Sequence, residues 1–176
     1  MAARFVALVL LGLANAVAAQ PRATSDAPGY DAGLQAYLAG DPAAAWFLWF
    51  GLAERGDAEA QFSMGHLYRV GEGVPRDPAM AADWFARAAA QGHGHAMLNL
   101  ALMHEQGAGV ARDLAVAYAH AARAGRLLEG ESLERARTAA ARIALVFQPT
   151  DAERARRLLI EMDRRQPLAV PRVQQR

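Results

Sequence analysis

The histidines are the residues whose spacing comes nearest to a metal site. His93 and His95 are separated by one residue, and His66 or His104 on a facing helix would be needed to complete a zinc or copper site. The chain contains no cysteine, and no carboxylate stands at a recognisable ligand spacing from this pair. The pattern favours ordinary surface histidines at a helix junction, so we predict no metal and no other cofactor.

Nucleophilic chemistry lacks its usual residues in this sequence. Every basic residue apart from the histidines is an arginine, which excludes a lysine nucleophile, a phosphate-binding lysine and a Ser-x-x-Lys motif. The serines, Ser25, Ser63 and Ser132, stand outside any Gly-x-Ser-x-Gly sequence. We therefore predict that the protein is not an enzyme.

Two glycine loops resemble part of a dinucleotide-binding sequence. They are Gly71-Glu72-Gly73 and Gly107-Ala108-Gly109. A dinucleotide loop needs a third glycine and a preceding strand, and neither sequence supplies them. Both loops are instead predicted to be turns between helices, which require positive backbone dihedral angles.

Composition and charge indicate a helical protein without a nucleic-acid partner. Hydrophobic residues make up 53% of the chain but aromatic residues only 7%, and the high alanine content favours closely packed helices. The 19 basic and 18 acidic residues give a net charge of +1, whereas nucleic-acid-binding domains are usually strongly basic. We predict an all-α fold.

Residues 1–19 have the pattern of a secretory signal peptide. A positive charge precedes an apolar run over residues 5–17, and small residues suitable for cleavage follow it. The run is too short to span a bilayer, so no stable membrane span is expected. We predict export to the periplasm or the medium after cleavage between Ala18 and Gln20, with residues 20–29 as a flexible linker.

The sequence repeats itself with a period of 36 residues. The informative identities are Gly71 with Gly107, Gly73 with Gly109, Val74 with Val110, Arg76 with Arg112, Asp77 with Asp113 and Arg87 with Arg123. A period of this length is typical of stacked helical units. Each unit is predicted as a helix, a turn and a second helix, with the aspartate as the cap of the second helix.

The units follow one another along the chain. An incomplete first repeat over residues 30–57 precedes repeats at residues 58–93 and 94–125. Residues 126–165 are rich in arginine and glutamate and are predicted as capping helices, and residues 166–176 as a disordered tail. The predicted fold is an α-α superhelix, a short solenoid of helix-turn-helix repeats with a C-terminal helical cap.

The capping helices are predicted at residues 133–147 and 151–162. Thr150 and Glu153 have the spacing of a capping box at the start of the second one. The charged side chains of both helices suit a face that meets water. Because the segment holds more arginines than carboxylates, a docking face for anionic lipid or for a partner is an alternative.

Residues 58–92 carry small, aromatic and acidic residues at fixed spacing. The set is Met64-Gly65, Tyr68, Gly71-x-Gly73-Val74, Asp77, Ala81, Trp84 and Ala88-Ala89. With this pattern the segment resembles a Sel-1-like repeat, a relative of the tetratricopeptide repeat, and the resemblance extends over about residues 30–125. The second copy departs from it, with Ala101 for the glycine, His104 for the tyrosine and His120 for the tryptophan.

This resemblance implies a binding protein. Repeat proteins of this kind bind peptides or domains on the concave surface that the first helix of each unit forms. The residues expected to face that groove are Tyr30, Leu34, Tyr37, Glu59, Phe62, His66, Arg69, His95, Leu98, Leu102 and Glu105. The predicted function is a non-catalytic interaction scaffold of the bacterial cell envelope with a protein or peptide partner.

The alternative function is enzymatic, a periplasmic hydrolase or an accessory enzyme of the cell wall. A catalytic pair of carboxylates in the groove would distinguish it from a scaffold. Glu59 and Glu105 are the acids expected to face the groove, and they belong to different units.

Overall fold

Helices account for all the regular structure between residues 29 and 167. The computed structural model describes these residues, and the predicted signal peptide, nearly all of the predicted linker and residues 168–176 of the predicted tail lie outside them. Eight α-helices and no strand occur in the described range, which confirms the all-α prediction. None of the described helices is long and apolar enough to cross a membrane. The helices are α1 (Tyr30–Leu38), α2 (Pro42–Glu54), α3 (Ala58–Val70), α4 (Pro78–Ala89), α5 (Gly94–Gln106), α6 (Leu114–Ala124), α7 (Gly130–Ala144) and α8 (Pro149–Arg165).

The helices stack as consecutive pairs. Helix α1 packs on α2, α3 on α4 and α5 on α6, and each second helix also contacts the first helix of the following unit. Each unit therefore buries its apolar faces against its neighbours, as in a helical repeat array. This succession of helix contacts is the one expected for the predicted superhelix.

Aspartates cap the second helix of each of the first three units. Asp41, Asp77 and Asp113 each accept a hydrogen bond from a backbone N–H in the first helical turn, at 2.9, 3.0 and 3.1 Å. Pro42 and Pro78 occupy the first helical position, where a missing amide hydrogen costs nothing. The capping predicted for Asp77 and Asp113 is confirmed.

The paired glycines between the two helices of a unit adopt left-handed backbone angles. Gly71 and Gly73 have φ angles of 87° and 71°, and Gly107 and Gly109 have φ angles of 72° and 73°. Residues with a Cβ atom rarely adopt this conformation. The prediction that both loops are turns with positive dihedral angles is confirmed.

The second glycine of each loop also touches the unit before it. A Cβ atom on Gly73 would lie 2.5 Å from the carbonyl carbon of Pro42, and one on Gly109 would lie 2.3 Å from that of Pro78. Each loop thus rests on the start of the preceding unit's second helix. The glycines shape their own turn and also permit close stacking of successive units.

The core is built from aromatic rings laid over glycines and alanines. The Trp49 ring lies against Gly33, where a Cβ atom would be 2.4 Å from the indole nitrogen. The Phe85 ring lies against Gly65, where a Cβ atom would be 2.6 Å from the nearest ring carbon. Both rings are buried, together with many alanines of the facing helices. Small residues let the helix backbones approach closely and leave room for the large rings.

The last two helices both pack on α6. Arg154 of α8 pairs with Asp113 at the start of α6, and Asp163 near the end of α8 pairs with Arg123 and Arg126 at the end of α6. These contacts show that α8 runs in the same direction as α6. The Arg123 side chain is fully buried beneath α8.

The predicted bounds of these two helices are corrected by the structure. Helix α7 begins at Gly130 and ends at Ala144, three residues earlier at each end than predicted. Helix α8 begins at Pro149, and the backbone N–H of Gln148 donates to the Asp151 carboxylate at 3.0 Å. The predicted Thr150 and Glu153 capping box is therefore wrong, because proline at the first helical position starts the helix earlier. Gln166, placed in the predicted tail, accepts a hydrogen bond from the buried arginine of α6.

Candidate functional site

The first helix of every unit lies beside the first helix of the next. The Tyr30 hydroxyl of α1 is 3.0 Å from the Ser63 hydroxyl of α3, and the Phe62 ring of α3 is 6.1 Å from the His95 ring of α5. His95 in turn is 3.2 Å from the Ser132 hydroxyl of α7. We call the surface formed by α1, α3, α5 and α7 the first-helix wall. The residues predicted to face the groove lie in α1, α3 and α5.

The predicted residues of α1 hold the first unit against the second. Tyr30 stacks on Trp49 with ring centroids 5.5 Å apart, and Leu34 is half-buried in the same apolar cluster. The Tyr37 hydroxyl donates to the Glu72 carboxylate at 2.6 Å, and this hydrogen bond raises the pKa of Tyr37. These three side chains therefore contribute mainly to packing.

An aromatic and acidic cluster lies at the start of α3 and α5. His93 caps α5, because its Nδ1 atom accepts the Ala96 backbone N–H at 3.1 Å. Its Nε2 atom therefore carries the proton and donates to the Glu59 carboxylate at 3.2 Å. The Phe62 ring stacks on the His93 ring at 4.5 Å and also contacts Phe85 in the core. Phe62 is thus half-buried and forms part of the wall surface and part of the core boundary.

The other two predicted residues of α3 lie further along the wall. His66 is half-buried, with Nε2 3.5 Å from the Tyr37 hydroxyl and Nδ1 3.3 Å from the Arg69 guanidinium. Burial and the nearby Arg69 charge lower the pKa of His66, which favours the neutral ring. Arg69 itself is exposed and available for contact.

Between α5 and α7 the wall has an open depression of about 380 Å³. Leu98 and Leu102 form its floor, and charged side chains of α7, including Arg135 and Arg142, form its rim. Leu98 is only 5% exposed, so it contributes mostly to the core, while Leu102 is half-buried. Glu105 makes a two-point hydrogen bond with Arg142 at 2.8 and 2.6 Å.

The contribution of α7 to the wall was missed by the sequence analysis. Ser132 and Arg142 contact His95 and Glu105, which in both cases lie 37 residues earlier. This separation is one residue longer than the repeat period, so a 36-residue step from His95 and Glu105 reaches Glu131 and Ala141 and misses both contacts. The contacts depend on how α7 packs beside α5, which the sequence period does not specify.

The wall does not bring together the groups that were considered for catalysis or for metal binding. Glu59 is held at the start of α5 by His93, while Glu105 lies ten residues beyond His95, or about 15 Å along a helix. Paired carboxylates in hydrolases of glycosidic bonds are typically about 5 to 10 Å apart. His104 stacks on His120 of α6 at 6.1 Å, away from His93 and His95. Among residues 29–167, no three histidine, aspartate or glutamate side chains are placed to share a metal ion.

Comparison with known protein families finds the repeat that the 36-residue period predicts. Residues 58–93 and 94–127 each match the Sel1 repeat family. No curated protein matches the chain.

Two solved structures have a similar fold. One is a protective antigen of uropathogenic Escherichia coli with an SLR fold, with a TM-score of 0.71 and 22% identity over 77% of this chain and 29% of that one. The other is a Sel1 repeat protein from Oxalobacter formigenes, with a TM-score of 0.61 and 22% identity over 78% of this chain and 58% of that one. The chain spans less than two thirds of either protein. Residues 58–127 therefore form two consecutive Sel1 repeats.

Proposed function

We propose that the protein is a non-catalytic scaffold that binds a peptide or protein partner along the first-helix wall. The observation that carries this proposal is the depression between α5 and α7, with an apolar floor and a charged rim. Protein interfaces combine a desolvated apolar centre with a polar rim in the same way. Membership of a repeat family that commonly mediates protein interactions supports it.

The partner segment fits the depression through one apolar side chain and a nearby acidic group. The apolar side chain packs on Leu98 and Leu102, where burial removes it from water. Arg135 is exposed at the rim and offers a cation to the acidic group, since Glu105 already engages Arg142. Rim charges of this kind act mainly on the association rate and on its salt dependence.

The proposed location is the bacterial cell envelope, on the basis of the signal-peptide pattern in residues 1–19. Mass spectrometry of the intact protein from an envelope fraction tests this. We expect the major species to begin after Ala18 or Ala19. A major species that retains Met1 would contradict both the processing and the location.

A comparison of two charge reversals tests the binding surface. Arg135→Glu changes the rim of the depression, and Arg164→Glu makes the same change at an exposed position of α8 outside the wall. Envelope extract is passed over immobilised parent protein and over each variant. We expect a partner that the parent and Arg164→Glu retain and that Arg135→Glu loses. Equal retention by both variants would exclude the depression as the binding surface.

A further inference from the structure

A second concave feature lies away from the wall, between α4, α5, α6 and α8. It is a half-enclosed pocket of about 270 Å³. Its apolar lining comes from helices of two units and the cap, including Ala89, Met97, Leu100 and Met162. An apolar cavity of about 150 Å³ is large enough for benzene. The pocket therefore has room for a ring-sized group and a polar substituent.

The pocket arises from a difference between the two Sel1 repeats. In the earlier repeat Trp84 is 3% exposed, and the Arg87 guanidinium covers its ring at 4.4 Å from the centroid. The residues 36 positions later are His120 and Arg123. The smaller imidazole occupies less of the space next to the preceding unit, and α8 covers the site from outside.

Two buried polar atoms in the pocket lining have no hydrogen-bond partner in the described part of the chain. They are Nδ1 of His120 and Nε of Arg123. The terminal nitrogens of Arg123 are already engaged by Asp163 and Gln166 of α8. A buried polar group without a partner destabilises the fold, so such groups are usually satisfied by water or a ligand.

The protonation state of the histidine suits a donor role. Burial, with the nearby His104 and Arg123, lowers the pKa of His120 to about 4. The ring is therefore neutral at pH 7 and carries one proton, which Nδ1 can hold and donate. The Nε–H of Arg123 is a second donor. The residues that carry both donors line a pocket whose other walls are largely apolar.

We propose that this pocket binds a small carboxylate with a ring-sized apolar body. The carboxylate accepts hydrogen bonds from Nε–H of Arg123 and Nδ1–H of His120, and the apolar body packs on Met97, Leu100 and Met162. A charged acceptor satisfies both unpartnered donors at once, which a neutral ligand of the same shape does less well. The site is separate from the first-helix wall and does not depend on the function proposed for it.

Titration calorimetry of the full chain with benzoate tests the proposal, with benzamide as the neutral ligand of nearly the same shape. We expect saturable benzoate binding at least tenfold tighter than that of benzamide. His120→Trp restores the residue type of the earlier repeat, fills the pocket and is expected to abolish benzoate binding while the helical circular dichroism is retained. Absence of saturable benzoate binding, equal affinity for benzamide or full binding by His120→Trp would each overturn the proposal.

A second pair of variants keeps the test decisive if His120→Trp does not fold. Ala90 lines the pocket, and Ala141 is exposed on α7 outside it. Ala90→Leu narrows the pocket and is expected to weaken benzoate binding at least tenfold, while Ala141→Leu leaves it unchanged. Equal affinities of the two variants would contradict the proposed site.

Discussion

Replacing Gly109 by alanine tests how the glycine loop holds successive repeats together. Gly109 has a φ angle of 73°, and an added Cβ atom would lie 2.3 Å from the backbone of Pro78. Gly40 offers the matched control, because its φ angle is 83° and a Cβ atom there would have no neighbour within 4 Å. The two changes share the backbone strain and differ only in the contact with the preceding unit.

The expected losses of stability follow from the backbone strain and from the contact with the preceding unit. An alanine in the left-handed region costs about 1 to 2 kcal/mol, which is the whole expected loss for Gly40→Ala. At Gly109 the new atom meets the backbone at the start of α4, which cannot move without the helix. Overpacking of this kind adds about 1 to 3 kcal/mol. We therefore expect Gly109→Ala to lower the free energy of unfolding by about 2 to 5 kcal/mol, which is more than the loss for Gly40→Ala.

Urea unfolding followed by circular dichroism measures the difference. The expected result is a much lower midpoint for Gly109→Ala than for Gly40→Ala. If the two variants lose the same stability, the loop does not support stacking of the repeats and only its turn geometry matters.

Three further predictions concern capping and titration. Asp77→Ala and Asp113→Ala should each lower the free energy of unfolding by about 1 kcal/mol while the affinity for a partner stays unchanged. A variant that keeps the melting temperature of the parent protein but loses affinity for the partner would contradict the capping role. Burial alone would raise the pKa of Asp113, but hydrogen bonds from the backbone and from Arg154 outweigh it and lower the pKa. The stability that the Asp113 carboxylate contributes is therefore present above about pH 4 and should be lost as pH falls through its folded-state pKa. In acid unfolding experiments, Asp113→Ala should lose less stability over this pH range than the parent protein. His120 has its pKa lowered from 6.5 to about 4, so the unfolded state takes up the proton first and the free energy of unfolding should fall between pH 6.5 and 4. His120→Trp should lack this pH-dependent loss of stability. If the stability of His120→Trp depends on pH in the same way as that of the parent protein, the assignment to His120 is wrong.

The repeat architecture was predictable from the sequence because its determinants are local. Positive φ angles require Gly71 and Gly73 at the turn, and Asp77 caps the helix that begins at the next residue. Both signals recur 36 residues later. The spacing of a few residues therefore fixed the number and order of the helices in the first three units.

The C-terminal helices were predicted less well because distant contacts decide their positions. The pair of Arg123 and Asp163 joins residues 40 positions apart and places α8 along α6. Neither helix has a glycine loop with the repeat spacing, so the sequence offered no marker of register. The same contact places α8 beside the pocket around His120. The sequence showed that a histidine replaces the tryptophan of the earlier repeat, but it did not show the pocket that follows from this replacement.

The wall residues show the same difference between what local sequence specifies and what distant contacts decide. Arg69 and His95, which were expected to face the groove, are exposed on first helices, since helical periodicity sets the face of a helix. Leu98 was predicted on the groove side but is nearly buried, because adjacent first helices pack close enough to cover it. The degree of cover depends on how far apart neighbouring helices lie, which periodicity does not specify.

The most direct test of the central claim is a photo-crosslinking scan in envelope extract. A photoreactive phenylalanine derivative replaces Arg69 or Arg135 on the first-helix wall, or Met80 or Arg164 on exposed positions of second helices. Crosslinked proteins are then identified by mass spectrometry. A scaffold that binds through the first-helix wall should give the same crosslinked partner from both wall positions and none from the other two. Crosslinks to a shared partner from Met80 and Arg164, with none from the wall, would contradict it.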